Sequence, residues 1–157
     1  MISATAIANA PGFSAYAEAA GIEMGAQTIG SPLERQPVIS SFSSTVTNYG
    51  AVSGTAVAGL LYNATNNTST TTANNANAKG YGINLHAGTF FGGVSNIGTL
   101  ASITGMAGAY ATSSAYAGAA GVSIKADSLY GSVYNEGSID GYAVASAVGG
   151  WDPEATA

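Results

Sequence analysis

Asp127, Glu136 and Asp140 are the residues in this chain best placed by type to do chemistry. Two carboxylates flanking one bond are the apparatus of glycoside hydrolysis, one as acid and the other as nucleophile or base. The positions 39 residues earlier are Gly88, Ile97 and Ala101, so the acids do not recur with the pattern described below. Solubilising charges at outward positions are the stronger reading, and no catalytic residue is assigned. His86 is the sole histidine, Lys125 stands at its repeat position, and it reads as a solvated surface residue. With no cysteine and no second histidine, the donor set of a thiolate or imidazole metal site is missing. The Gly-Gly-x-Gly-x-Asp calcium repeat is missing too. Gly92-Gly93 lacks the lysine and strand–helix context of a phosphate loop. The reading is therefore no metal and no cofactor. Nine tyrosines offer either a carbohydrate-binding stripe or a structural ladder. Asn63, Asn66 and Asn67 match the N-glycosylation pattern inside an Asn/Thr-rich stretch. Thr68–Thr72 is a threonine run that does not recur once per repeat, as an ice-binding array would.

These residues sit in a chain that repeats itself. Gly82-Ile83-Asn84-Leu85-His86-Ala87 returns as Gly121-Val122-Ser123-Ile124-Lys125-Ala126, 39 positions later. Val94-Ser95-Asn96-Ile97-Gly98 returns as Val133-Tyr134-Asn135-Glu136-Gly137 at the same offset. An earlier copy of this turn is Val46-Thr47-Asn48-Tyr49-Gly50, and Ser14–Met24 matches Ser114–Ile124. A period of about 20–50 residues points to a repeat architecture. The wider spacing of the early copies locates two insertions, 26–41 and 62–78, both of loop-like composition. The units then run 14–61, 62–108 and 109–148 within one domain of 1–157, with 149–157 as a cap or tail in which Trp151 covers the last coil.

Within each unit the period is 2. Ile83-Asn84-Leu85-His86-Ala87 alternates apolar with polar, as does Val122-Ser123-Ile124-Lys125-Ala126. Such alternation marks a half-buried strand. Asn-x-Gly corners separate the strands, since both residues tolerate the left-handed conformations of tight corners. The fold expected is an all-β parallel β-solenoid, with two coils of about 20 residues in each 39-residue unit. Its inward set is Ile22, Met24, Val46, Val52, Ile83, Leu85, Val94, Leu100, Val122, Ile124, Val133 and Ile139. Its turn ladder is Asn48, Gly50, Asn96, Gly98, Asn135 and Gly137, with the asparagine amides bonded between coils. Abundant alanine and glycine predict a narrow cross-section.

Composition excludes several functions. Charged residues make up 7% of the chain, against a usual share of about 25%. Arg35, Lys79 and Lys125 are the only basic residues and the net charge is −5. Phosphate neutralisation needs clustered Lys and Arg, so nucleic acid is excluded as a partner. Anionic lipid is disfavoured on the same ground. There is no apolar run long enough for a membrane-spanning helix, and the alanine-rich alternation makes a poor lipid face for a membrane barrel. Met1-Ile2-Ser3-Ala4 shows neither the basic nor the apolar segment of a cleavable signal peptide.

Asn-x-Gly-x-apolar turns, alternating with Ala/Ser/Tyr stretches that end in Gly-[Ile/Val]-x-[Leu/Ile/Met], resemble the passenger regions of bacterial autotransporters and filamentous adhesins. The resemblance covers residues 14–148 and extends to no catalytic motif and no membrane barrel. It implies a right-handed β-helix on an outer surface. The function expected is structural or adhesive, as an adhesin segment or a filament subunit, with a glycan-binding or glycan-cleaving module as the alternative. The partners expected are another copy of the chain through end-to-end edge pairing, or a host surface or glycan.

Overall fold

The computed structural model describes residues 1–24, 39–63, 68–71, 73–149 and 153–157. Alternating side chains and Gly/Asn corners fold them into strands: β1 (Ile2–Ala8), β2 (Ser14–Met24), β3 (Ile39–Phe42), β4 (Thr45–Asn48), β5 (Ala51–Ala58), β6 (Leu60–Asn63), β7 (Thr68–Thr71), β8 (Ala73–Phe90), β9 (Gly93–Asn96), β10 (Ser102–Leu129), β11 (Ser132–Asn135), β12 (Ser138–Ala147) and β13 (Glu154–Thr156). The described residues contain no helix. Among the described residues all strand pairs are parallel except β6–β7, which is antiparallel.

The long strand β10 organises the molecule. Its first part pairs with β5 and β12, and its second with β8 and β13. The ladder with β8 shifts register between Ala111 and Ser114. There the sheet folds over, placing β1–β5–β10–β12 against β2–β8–β10. A separate row runs β4–β9–β11.

The interior has two compartments of different chemistry. Between the two faces the buried cluster is alanine alone, from Ala15, Ala17 and Ala19 on β2 to Ala115, Ala117 and Ala119 on β10. Each buried methyl contributes roughly 0.8 kcal/mol, far less than a buried leucine, so the packing must be close to compensate. Glycine makes it close. A methyl added at Gly105 would lie 2.1 Å from the Ala120 carbonyl oxygen, and one at Gly80 only 1.8 Å from that of Met106. The other compartment holds Val52, Ile83, Leu85, Ala87, Phe90, Val94 and Ile103, with Ile22, Val46, Val122, Ile124 and Ile139 partly buried around them.

Several sequence expectations need correction. Ile83 pairs directly with Val122, and Leu85 with Ile124. Thirty-nine residues therefore separate immediate neighbours, and the two coils of about 20 residues per unit are not found. Leu100, expected inside, is 93% exposed. It lies in a turn closed by the Ala101 amide donating to the Gly98 carbonyl. That turn is longer than its counterparts, so Ile103 takes the inward place and pairs with both Val52 and Ile139. Met24 and Val133 are also exposed. Both lie on strands paired along one side only. The stretch 62–78 is not simply a loop: it contributes to the antiparallel β6–β7 pair, and Ala73, Ala76 and Ala78 are buried in β8. From Asn75 onward its Ala/Asn composition alternates with period 2 and pairs Ala15 with Ala76 and Ala76 with Ala115. Most of the insertion 26–41 lies outside the described residues, as does Trp151; its end, Ile39–Ser41, pairs with β8.

Candidate functional site

The three turn asparagines form a continuous row. Asn48 Nδ2 donates to Asn96 Oδ1 at 2.7 Å, and Asn96 Nδ2 donates to Asn135 Oδ1 at 2.7 Å. Asn48 Nδ2 also reaches the Gly50 and Ser102 carbonyls, and Asn96 Nδ2 those of Ala101 and Ser138. Asn135 Nδ2 donates to the Gly137 carbonyl. The corner glycines differ in their reason for being glycine. Gly98 has φ +98°, a conformation that strains any side chain. Gly137 sits where an added methyl would be 1.9 Å from the Ala101 carbonyl oxygen. Nothing lies within 4 Å of one at Gly50. This row is a structural device whose polar capacity is spent on itself.

The three acids fall on different parts of the chain. Asp127 is near the end of β10, Glu136 in the turn after β11, and Asp140 on β12 beside Thr104. Glu136 is engaged at both oxygens, accepting from the Tyr134 hydroxyl at 2.7 Å and the Gly98 amide at 2.9 Å. The same bonds hold its carboxyl below the usual range, and Glu136 holds the Tyr134 hydroxyl above its own. Among the described residues, no three His, Asp or Glu side chains gather as a metal site would require.

The tyrosines do not make one stripe. Tyr130 stacks on Phe91, ring centroids 5.1 Å apart. Tyr16 and Tyr116 alternate outward from their buried alanines and flank Asn77 in register, Tyr16 on β2, Asn77 on β8 and Tyr116 on β10. Tyr81 stands further along the same face of β8.

That face is the most unusual surface in the protein. Gly21, Gly82 and Gly121 interrupt the alternation, since the inward alanines before them are followed by inward Ile22, Ile83 and Val122. An added methyl at each would press on Val52, Ile103 and Ile139 respectively, at 2.5–2.7 Å. A strand with neighbouring residues both turned inward bends its outer face into a concavity. Two observations agree with the bend. Asn84 lies between the core residues Ile83 and Leu85, hence on the outer side, yet is only 2% exposed. The Glu18 carboxylate acts on the His86 imidazole as well as on Tyr81 and Glu23. On a straight strand the positions of Glu18 and His86 would be roughly 23 Å apart.

The concavity is polar and incompletely bonded. Glu18 Oε1, Asn77 Oδ1, Asn84 Oδ1 and His86 Nε2 are all sequestered without a hydrogen-bond partner. Each such group costs about 1–3 kcal/mol while it stays unpaired. The other Glu18 oxygen accepts from the Tyr16 hydroxyl, and Lys79 Nζ lies 6.0 Å from the Tyr16 ring centroid. Burial, then Lys125, lowers the His86 pKa and favours the neutral imidazole. Burial, then Glu18, raises Glu23. Burial and the Glu18 hydrogen bond raise Tyr16, which stays a phenol.

Of these residues, sequence reasoning singled out His86 and the tyrosines as a class. It missed Glu18, Asn77 and Asn84. The signal available was the alignment of Asn75–Leu85 with Ser14–Met24 and Ser114–Ile124, hidden because its first half reads as low complexity. Comparison with known protein families, curated proteins and solved structures finds no match for the chain.

Proposed function

We propose that the chain is a right-handed β-solenoid of an extracellular surface, structural or adhesive in function and without a catalytic step. It acts either as a segment of an adhesin resembling autotransporter passengers or as a subunit joined end to end with its copies. The observation that carries this reading is the register of like residues along the stack. Val46, Val94 and Val133 pair in one row, and Asn48, Asn96 and Asn135 in the next. A chain that devotes its recurrent residues to stacking suits a load-bearing or spacer role.

The outer strands support self-association. On β1 the partly buried Ala6 and Ala8, and on β12 Ala143 and Ala145, belong to the same alanine cluster. Through β5 and β10, Ala6 is in register with Ala143, and Ala8 with Ala145. A second copy laid on either edge would meet the spacing and side-chain size already used inside. Parallel pairing also supports the absence of membrane insertion, because transmembrane barrels are antiparallel.

Negative-stain microscopy of purified protein, with size-exclusion chromatography, tests the reading. Long regular fibres are the result expected of the filament subunit, and short uniform rods that of the adhesin segment. Round particles with no long axis would overturn both.

A further inference from the structure

We propose that the concave outer face of β2, β8 and β10 binds a neutral polyhydroxylated chain, an oligosaccharide, through Tyr16, Glu18, Asn77, Tyr81, Asn84 and His86. This goes beyond the structural role above and does not depend on it. All the sequestered, unpartnered side-chain atoms found among the described residues lie on this one face. Asn84 is the most telling, because it is almost wholly buried and yet its carbonyl oxygen is left without a donor. Three of the four atoms are acceptors, and the fourth belongs to an imidazole whose burial favours the neutral form. Such a set asks for a ligand rich in hydroxyl groups, which donate and accept at closely spaced points.

Charge and shape narrow the class. Glu18, Glu23 and Asp127 stand against Lys79 and Lys125, so the one unmatched charge is negative, which disfavours an anion and gives no strong field to select a cation. Tyr16, Tyr81 and Tyr116 supply ring surface for the apolar C–H side of a sugar. Shallow depressions continue the face at both ends. One of about 340 Å³ lies between Tyr16, Asn77 and Tyr116, and one of about 420 Å³ beside His86 and Lys125. A site open at both ends suits a chain of several sugar units.

The test is titration calorimetry of the intact chain with neutral hexasaccharides of glucose (α- and β-linked), mannose and N-acetylglucosamine. A polyuronate hexasaccharide and tetralysine serve as charged comparators. At least one neutral hexasaccharide is expected to bind with Kd below about 1 mM. Asn84→Ala, Asn77→Ala and Tyr81→Ala should each weaken it about tenfold or more, whereas Tyr142→Ala on β12 should not. Asn84→Ala should keep or raise the melting temperature, because it removes an unpaired buried group. A merely structural asparagine would lower it. The proposal is overturned if no neutral hexasaccharide binds, if only a charged comparator binds, or if binding survives the Asn77 and Tyr81 substitutions. Fibres or rods seen by microscopy leave this result unaffected.

Discussion

Asn96 is fully buried, accepts from Asn48 and donates to Asn135 and to the Ala101 and Ser138 carbonyls. Its removal would take the side-chain donor from Asn135 Oδ1 and the Ser138 carbonyl and leave a cavity in the row, although Asn48 Nδ2 keeps the Gly50 and Ser102 carbonyls and the Ala101 carbonyl keeps the Ser138 amide. Asn96→Ala is therefore expected to cost about 2–4 kcal/mol in urea unfolding, and Asn135→Ala, at the exposed end of the row, less than about 1. Equal losses at the two sites would count against a ladder whose strength comes from burial. Asn84 is the counterpart, an asparagine just as buried that lacks a donor for its carbonyl. The ladder was legible in the sequence because Asn-x-Gly recurs at fixed spacing. Asn84 was not, because a polar residue between two apolar ones reads as solvent-facing in any strand.

At the level of strands, glycine decides how near the two faces come. Gly105 and Gly118 lie on the same strand with opposite surroundings. A methyl at Gly105 would meet backbone oxygens at 2.1 and 2.5 Å, whereas one at Gly118 meets only the Tyr116 side chain, at 3.4 Å or more. Gly105→Ala is expected to destabilise by about 3 kcal/mol or more, since both sheets must part to admit it. Gly118→Ala should stay within about 0.5 kcal/mol of the parent. Thermal unfolding of the pair checks this, and a tolerated Gly105→Ala would mean that the faces are not in backbone contact. The displacement of Leu100 by Ile103 belongs to this scale as well. Sequence alignment kept the offset of 39 through the turn, but the turn closed by Gly98 and Ala101 is longer than its counterparts. Neither residue's identity reveals that, because both are apolar.

For the molecule as a whole, stability should be graded across the stack. β8 is paired along both sides over most of its length, and β10 has β5 and β12 on either side of its first part. β1 and β12 are each paired along one side. Amide hydrogen exchange on dilute, unassembled protein is expected to be slowest in the paired amides of β8 and fastest in β12 and β13. Uniform protection from β1 to β12 would show that the chain opens only as a single unit. In fibres, exchange at β1 and β12 should slow selectively if those edges form the joint.

The sequence by itself determined the strand character, the asparagine corners, the row-by-row matching of residues 39 apart and the thinness of an alanine interior. These are local properties, set by side-chain alternation and turn chemistry within a few residues. Only the tertiary structure decided that residues 39 apart on β8 and β10 are immediate neighbours, that Ile103 rather than Leu100 enters the core, and that the outer face bends at Gly21, Gly82 and Gly121. Those outcomes depend on how closely distant segments approach. Burial of Asn84 and Glu18 follows from that approach, and no pattern along the chain encodes it directly.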